Sequence, residues 1–178
     1  MKLYLWLVNC FAGLNSSFDM NETSTIMIRS GQVGDADHLL AIARGACQQF
    51  VAEMGKEPAP MLTNYDQHLA EDDVMVAMTE DNKIAGFAVL IHKPDGCWLE
   101  NIAVDASLKG QGIGNLLLHH IEDGLVQRGI NTIRLYTNVV MRQNMAWYQR
   151  HGYREYDRKQ DEGYERVYFM KALEHVSA

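Results

Sequence analysis

The stretch that most constrains this chain is Trp98 to Gly114, WLENIAVDASLKGQGIG. Trp98 to Val104 is an apolar run broken by one glutamate, short enough to be a strand. Asp105 to Leu108 interrupts the pattern, and Gly110, Gly112 and Gly114 then fall at alternate positions. Ile113, Leu116, Leu117, Ile121 and Leu125 follow at the three-and-four spacing of an amphipathic helix. A strand, a glycine-rich loop and a helix in that order make an anion site. The glycines let the backbone curl close to a ligand, and the unpaired N–H groups of the helix start point at it. The guest this suits is a phosphate or pyrophosphate; the bland alternative is a tight turn that only starts a helix.

Spacing separates the users of such a loop. A P-loop needs a lysine–hydroxyl pair after its last glycine, and Asn115 and Leu116 stand there instead. The dinucleotide fingerprint GxGxxG fails because Asn115 occupies the place of its third glycine. The pattern [Q/R]-x-x-G-x-[G/A] does fit, read on Lys109, Gly112 and Gly114, after a strand ending in Ala103-Val104. A second stretch lies downstream: Leu135-Tyr136-Thr137-Asn138, then MRQNMAWYQRHGY from Met141 to Tyr153. It reads as a strand and then a helix carrying Tyr148 four residues before Gly152-Tyr153. With both motifs in order, the chain resembles the GNAT N-acetyltransferases over roughly Ile26 to Leu173. It departs from the common pattern in having Lys109 for the usual Gln or Arg, Met141 for Asn and Asn144 for Ala. Lys109 keeps a positive charge beside the expected pyrophosphate.

The chain of 178 residues is long enough for one domain with a proper core. Its formal net charge of −7 argues against a nucleic-acid partner, since phosphate contacts demand a basic face. Cys10, Cys47 and Cys97 are an odd set without CxxC spacing, so no zinc site or disulfide framework is implied. A reducing, cytoplasmic setting is expected. Lys2 and the apolar run after it look like a miniature signal peptide, too short for a membrane span. Residues 1–25 read as an extension and linker, with Met20 or Met27 as alternative starts, and 26–175 as the domain; no membrane association is expected.

Along the domain, strand alternation around Ile26 and Ile28 gives way to Asp35, an expected N-cap for a helix carrying Leu39, Ala43 and Phe50. GKEPAP, Gly55 to Pro60, breaks it, and Thr63 is expected to cap a second short helix. Strands are expected over Val74–Thr79, Ile84–His92 and Cys97–Val104, with a hairpin turn at Lys93 to Gly96. Gly86 inside the second of these marks a bulge or a close approach. A helix to about Arg128 ends at Gly129. A strand from Ile130 to Thr137, a helix from Met141 to His151 and two strands around a charged loop, Lys159 to Glu165, finish the domain. The order agrees with an α/β GNAT fold, a central mixed and mostly antiparallel twisted sheet flanked by helices.

The resemblance implies an enzyme that moves an acetyl group from acetyl-CoA to a primary amine by direct attack, without a metal. It implies that Lys109, Gly110, Gln111, Gly112, Ile113 and Gly114 hold the pyrophosphate and that the pantetheine arm runs beside Ile102, Ala103 and Val104. The resemblance also implies that the neighbouring strand splays away there and frees backbone N–H groups. Asn138 and Asn144 are candidate CoA contacts, each equally readable as a cap or turn residue. By alternation Glu100 shares a face with Trp98, Ile102 and Val104, and a carboxylate set among apolar side chains suits a general base, acting directly or through water. Tyr148 is the candidate general acid for the leaving thiolate; its alternative is core packing. Tyr65 and His68 are candidate acceptor contacts. His119 and His120 are expected to lie away from the thioester, and Cys97 to be a buried thiol rather than a nucleophile. A small-molecule amine is the expected acceptor, with a protein N-terminus or lysine as the alternative. A CoA-binding sensor without turnover, and a homodimer, stay open.

Overall fold

The structure, a computed structural model, describes residues 26–174; the signal-like stretch and linker expected over 1–25 lie outside the described residues. The strands are β1 (Met27–Ser30), β2 (Asp73–Met78), β3 (Ile84–Lys93), β4 (Gly96–Val104), β5 (Thr132–Asn138), β6 (Arg154–Asp161) and β7 (Tyr164–Ala172). The helices are α1 (Ala36–Cys47), α2 (Val51–Met54), α3 (Tyr65–Glu71), α4 (Ile113–Gln127) and α5 (Arg142–Arg150). One sheet takes all seven strands in the order β1-β2-β3-β4-β5-β7-β6. Every neighbouring pair is antiparallel except β4 with β5.

Each face of the sheet buries one helix pair. Leu118, Ile121 and Leu125 of α4 and Tyr148 of α5 pack on Leu99, Ile133, Leu135, Val167 and Phe169. Leu39, Ile42 and Ala43 of α1 and Tyr65 of α3 pack on Val74, Val76, Phe87 and Val89 from the other side. These residues fall at the helical and strand periods of their elements, so the binary pattern alone sends them to the two interfaces. Among the described residues no helix is long and apolar enough to cross a membrane.

Three local expectations are corrected. Asp35 stands at the start of α1 but does not cap it: its carboxylate accepts the Gln32 N–H at 2.8 Å and pairs with the Arg29 guanidinium. That pairing holds its carboxyl below the ordinary range. Asn64, not Thr63, caps α3, accepting from the Gln67 N–H, while the Thr63 hydroxyl donates to the Ala59 carbonyl. The charged segment from Lys159 to Glu165 is no loop. It continues β6 and β7 into a tight hairpin whose turn, Glu162-Gly163, has φ of +49° and +75°. Two successive positive φ values match the right-handed twist of paired strands.

Gly86 is a close approach. A Cβ there would lie 2.8 Å from the Ala103 carbonyl oxygen, which belongs to the neighbouring strand. Gly86→Val is expected to destabilise the fold by about 1–3 kcal/mol through overpacking. A denaturant midpoint no lower than the native one would show that β3 and β4 can part without loss.

The parallel pairing of β4 with β5 is short. It joins Cys97 to Ile133, Trp98 to Arg134 and Leu99 to Leu135, and stops. Both strands continue, β4 to Val104 and β5 to Asn138, so they diverge and leave Glu100 to Val104 without a partner on that side. On the other side, Leu99 pairs with Leu90 and Asn101 with Val89, which makes Glu100 an extra residue in the ladder. A bulge bends its strand and re-aims its side chain. The wedge between β4 and β5 therefore opens at Glu100.

Candidate active site

The loop after β4 is built to start α4 with bare N–H groups. Asp105 shapes its first half by accepting from the Ser107 N–H at 2.8 Å and the Ser107 hydroxyl at 2.6 Å. Gly110 and Gly112 have φ of +87° and +82°, values that other residues adopt only with strain. Gly112 is the N-cap residue, no side chain caps the helix, and its first turn holds no acidic residue. The leading N–H groups thus keep their capacity for an anion, and the helix dipole adds to it.

The wedge, this helix start and the α1–α3 region enclose a cavity of about 740 Å³. Every site residue expected from the sequence lines it except Gln111, which is exposed outside the lining. Ile102, Ala103 and Val104 present the unpaired edge of β4, with Gly112, Ile113 and Gly114 next to them and the exposed Lys109 at the rim. A pyrophosphate-bearing thioester fits this donor set: an extended backbone edge for an amide-rich arm, then N–H groups and an ammonium for the phosphates.

Glu100 is half-buried and accepts a hydrogen bond from the Tyr136 hydroxyl of β5. The shared face expected for Glu100, Ile102 and Val104 does not hold. Ile102 and Val104 pack against Ile113 and Leu117 of α4, whereas the bulge leaves Glu100 on the Tyr136 side of the sheet. The neighbouring Asn101 donates to the Tyr65 hydroxyl at 2.7 Å. Burial, and then the Glu100 charge, pushes the Tyr136 phenol above its ordinary range, so it stays a donor to the carboxylate.

Tyr148 packs in the core and also borders the cavity. Its ring is buried against Trp147, Tyr153 and Phe169, the residue lines the cavity, and its hydroxyl makes no hydrogen bond among the described residues. Burial pushes its pKa up, so the phenol keeps its proton through the neutral range. Asn138 closes the turn into α5 by accepting the Val140 N–H at 3.1 Å. Asn144 has only a 3.7 Å contact to the Met141 sulfur, which leaves its amide open to a ligand.

Tyr65 borders the cavity, but it is 2% exposed and its hydroxyl is committed twice, to Asn101 and to the Pro60 carbonyl. It is a core post rather than a free acceptor contact. His68 is held through Nδ1 by Asp72 at 2.8 Å. His119 and His120 are exposed and outside the cavity, and Cys97 is a buried core thiol whose pKa rises to about 11.

Two residues were missed from sequence, Tyr136 and Arg166. The alternation of Ile133, Leu135 and Thr137 inward places Tyr136 on the opposite face, a readable signal. Arg166 is 6% exposed, sits 4.1 Å over the Tyr136 ring and pairs with Asp161 and Glu162. No local pattern marks that arginine. Among the described residues no group of three His, Cys, Asp or Glu side chains could hold a metal ion.

Residues 39–153 match the family model described as "Acetyltransferase (GNAT) family". The [ribosomal protein bS18]-alanine N-acetyltransferase of Escherichia coli (strain K12) is 36% identical over 78 residues, 44% of this chain and 53% of that one. YxbD of Bacillus subtilis (strain 168) is 35% identical over 77 residues, 43% and 47% of the two chains. The chain thus spans about half the length of the curated relatives it matches. The crystal structure of PaiA N-acetyltransferase from Thermoplasma acidophilum in complex with coenzyme A superposes with a TM-score of 0.71, at 18% identity, covering 83% of this chain and 99% of that one. A GNAT family acetyltransferase from Elizabethkingia anophelis with acetyl-CoA bound gives 0.61, at 20% identity and with 83% and 98% covered. At these identities the superpositions establish a shared fold.

Proposed function

The chain belongs to the GNAT acetyltransferase family, and from that premise we propose that it transfers an acetyl group from acetyl-CoA to a primary amine. The observation that carries the reading is the junction of the β4–β5 wedge with the bare start of α4, inside one cavity that also holds Glu100 and Tyr148. The backbone of Ile102 to Val104 would hold the pantetheine arm, and Gly110, Gly112, Ile113 and Gly114, with Lys109, the pyrophosphate. The thioester supplies an acyl group already activated for attack by nitrogen. An amine with a pKa near that of lysine, about 10, is protonated at neutral pH. Glu100, oriented by the Tyr136 hydroxyl, takes that proton, and an N–H near Ile102 draws on the carbonyl oxygen. The free amine attacks the carbonyl carbon, and the C–S bond breaks as the C–N bond forms. The Tyr148 hydroxyl protonates the departing sulfur. The proton shed by the new amide nitrogen restores Tyr148, and Glu100 releases its own proton to solvent. Among the described residues Cys47 and Cys97 are free thiols, which supports the proposed reducing, cytoplasmic setting.

The relatives named as bS18-alanine N-acetyltransferases favour a second reading, a protein α-amine as acceptor. Acceptor screening by thiol release tests both.

Tyr148→Phe leaves the packed ring in place and removes only the hydroxyl. It is expected to lower kcat by about a hundredfold, the low end for a general acid, with acetyl-CoA affinity retained. Native turnover in this variant would remove Tyr148 from the reaction.

A further inference from the structure

The acceptor end of the cavity narrows the class of amine, and this step rests on the transferase reading above. Its walls include Phe50, Met54, Pro58, Pro60 and Tyr164, an apolar and aromatic set, beside the polar Gln49, Thr63 and His68 of the same α1–α3 side. Among the described residues that line the whole cavity, formal charges sit on Glu100, Lys109 and Arg166, and the His68 imidazole is already claimed by Asp72 at 2.8 Å. Lys109 lies at the loop before α4, the opposite end. Arg166 is neutralised by Asp161 at 3.0 Å and Glu162 at 2.6 Å. Glu100 is therefore the one unmatched charge available to an acceptor. A polyamine would bring several cations to a single carboxylate. An amino acid would set its own carboxylate near Glu100 with no free cation to receive it.

The rim at this end is also bridged. The segment after α2 meets the tip of the β6–β7 hairpin through three contacts. The Lys56 ammonium donates to the Gly163 carbonyl and lies 3.6 Å from the centre of the Tyr164 ring. The Tyr164 hydroxyl donates to the Glu57 carbonyl at 2.9 Å. Residues on either side of the bridge, Met54, Pro58 and Tyr164 itself, line the cavity. A peptide whose α-amine reached Glu100 would carry its remaining chain past this bridged side of the rim, whereas a compact amine fits beneath it.

We infer that the acceptor is a primary monoamine on a compact apolar body, seated between Phe50, Met54 and Tyr164 with its nitrogen at Glu100. The purified full chain, supplied with acetyl-CoA, is assayed by thiol release with 2-phenylethylamine, spermidine, glutamate and a short peptide bearing an N-terminal alanine. The expected kcat/KM for 2-phenylethylamine exceeds each of the other three by about tenfold or more. In a Lys56→Ala/Tyr164→Phe double variant, which removes the bridge but keeps the ring, the peptide is expected to gain on 2-phenylethylamine. Peptide or spermidine turnover equal to or above that of 2-phenylethylamine in the native chain overturns the inference. Binding of acetyl-CoA with turnover of none of the four overturns this inference, whereas the transferase reading falls if the native chain binds no acetyl-CoA.

Discussion

Glu100→Gln is expected to lower kcat at neutral pH by about 10²- to 10⁴-fold, the range of a positioned general base. Glutamine keeps the size of the side chain and an oxygen that can still accept from the Tyr136 hydroxyl, so the wedge and its bulge stay as they are. Acetyl-CoA affinity should be unchanged, because the donors assigned to it lie on Ile102 to Gly114. The loss should shrink as pH rises toward the pKa of the amine, about 10, since the acceptor then supplies its own free base. A merely structural role for Glu100 would give a loss of similar size at every pH, together with a lower melting temperature. Thiol release measured from pH 6.5 to about 9.5 separates the two outcomes.

Gly112→Trp is expected to abolish acetyl-CoA binding in the working range, a fall in affinity of about a hundredfold or more. Two effects act together. The φ of +82° at Gly112 penalises any side chain by about 1–2 kcal/mol, which loosens the loop that aims the α4 N–H groups. The indole then occupies the space at the helix start where the phosphates would sit. No atom lies within 4 Å of a Cβ at this position, so the fold itself meets no clash there. The variant should therefore melt only a few degrees below the native chain while losing the rise in melting temperature that saturating CoA gives the native protein. A preserved CoA-dependent rise would place the phosphates elsewhere.

The strand–loop–helix unit was readable because its determinants are local. Apolar runs, glycine density and helical spacing between Trp98 and Leu125 act within a few residues of one another. What was misread depends on partners distant in the chain. The alternation through Glu100 breaks only because Val89 and Leu90 of β3 pair around it. Asp35 looked like a cap, but Arg29 and the Gln32 N–H claim its carboxylate first. The polar run from Lys159 to Glu165 reads as loop by composition. It is drawn into strands by pairing with its own second half across Glu162-Gly163, where only the glycine gave a turn signal. Tyr136 and Arg166 enter the site from β5 and β7, which are adjacent in space and far apart in sequence. The residues expected to hold the cofactor thus come from local motif, whereas Tyr136 and Arg166, which line the same cavity, become visible only with the sheet assembled.

The most direct measurement is titration calorimetry of the full native chain with acetyl-CoA, repeated on Glu100→Gln and Gly112→Trp. Expected are single-site binding of equal strength in the native and Glu100→Gln proteins and no binding in Gly112→Trp. A native chain that is folded and gives no heat of binding would contradict the assignment of the β4–β5 wedge and the α4 start as an acetyl-CoA site.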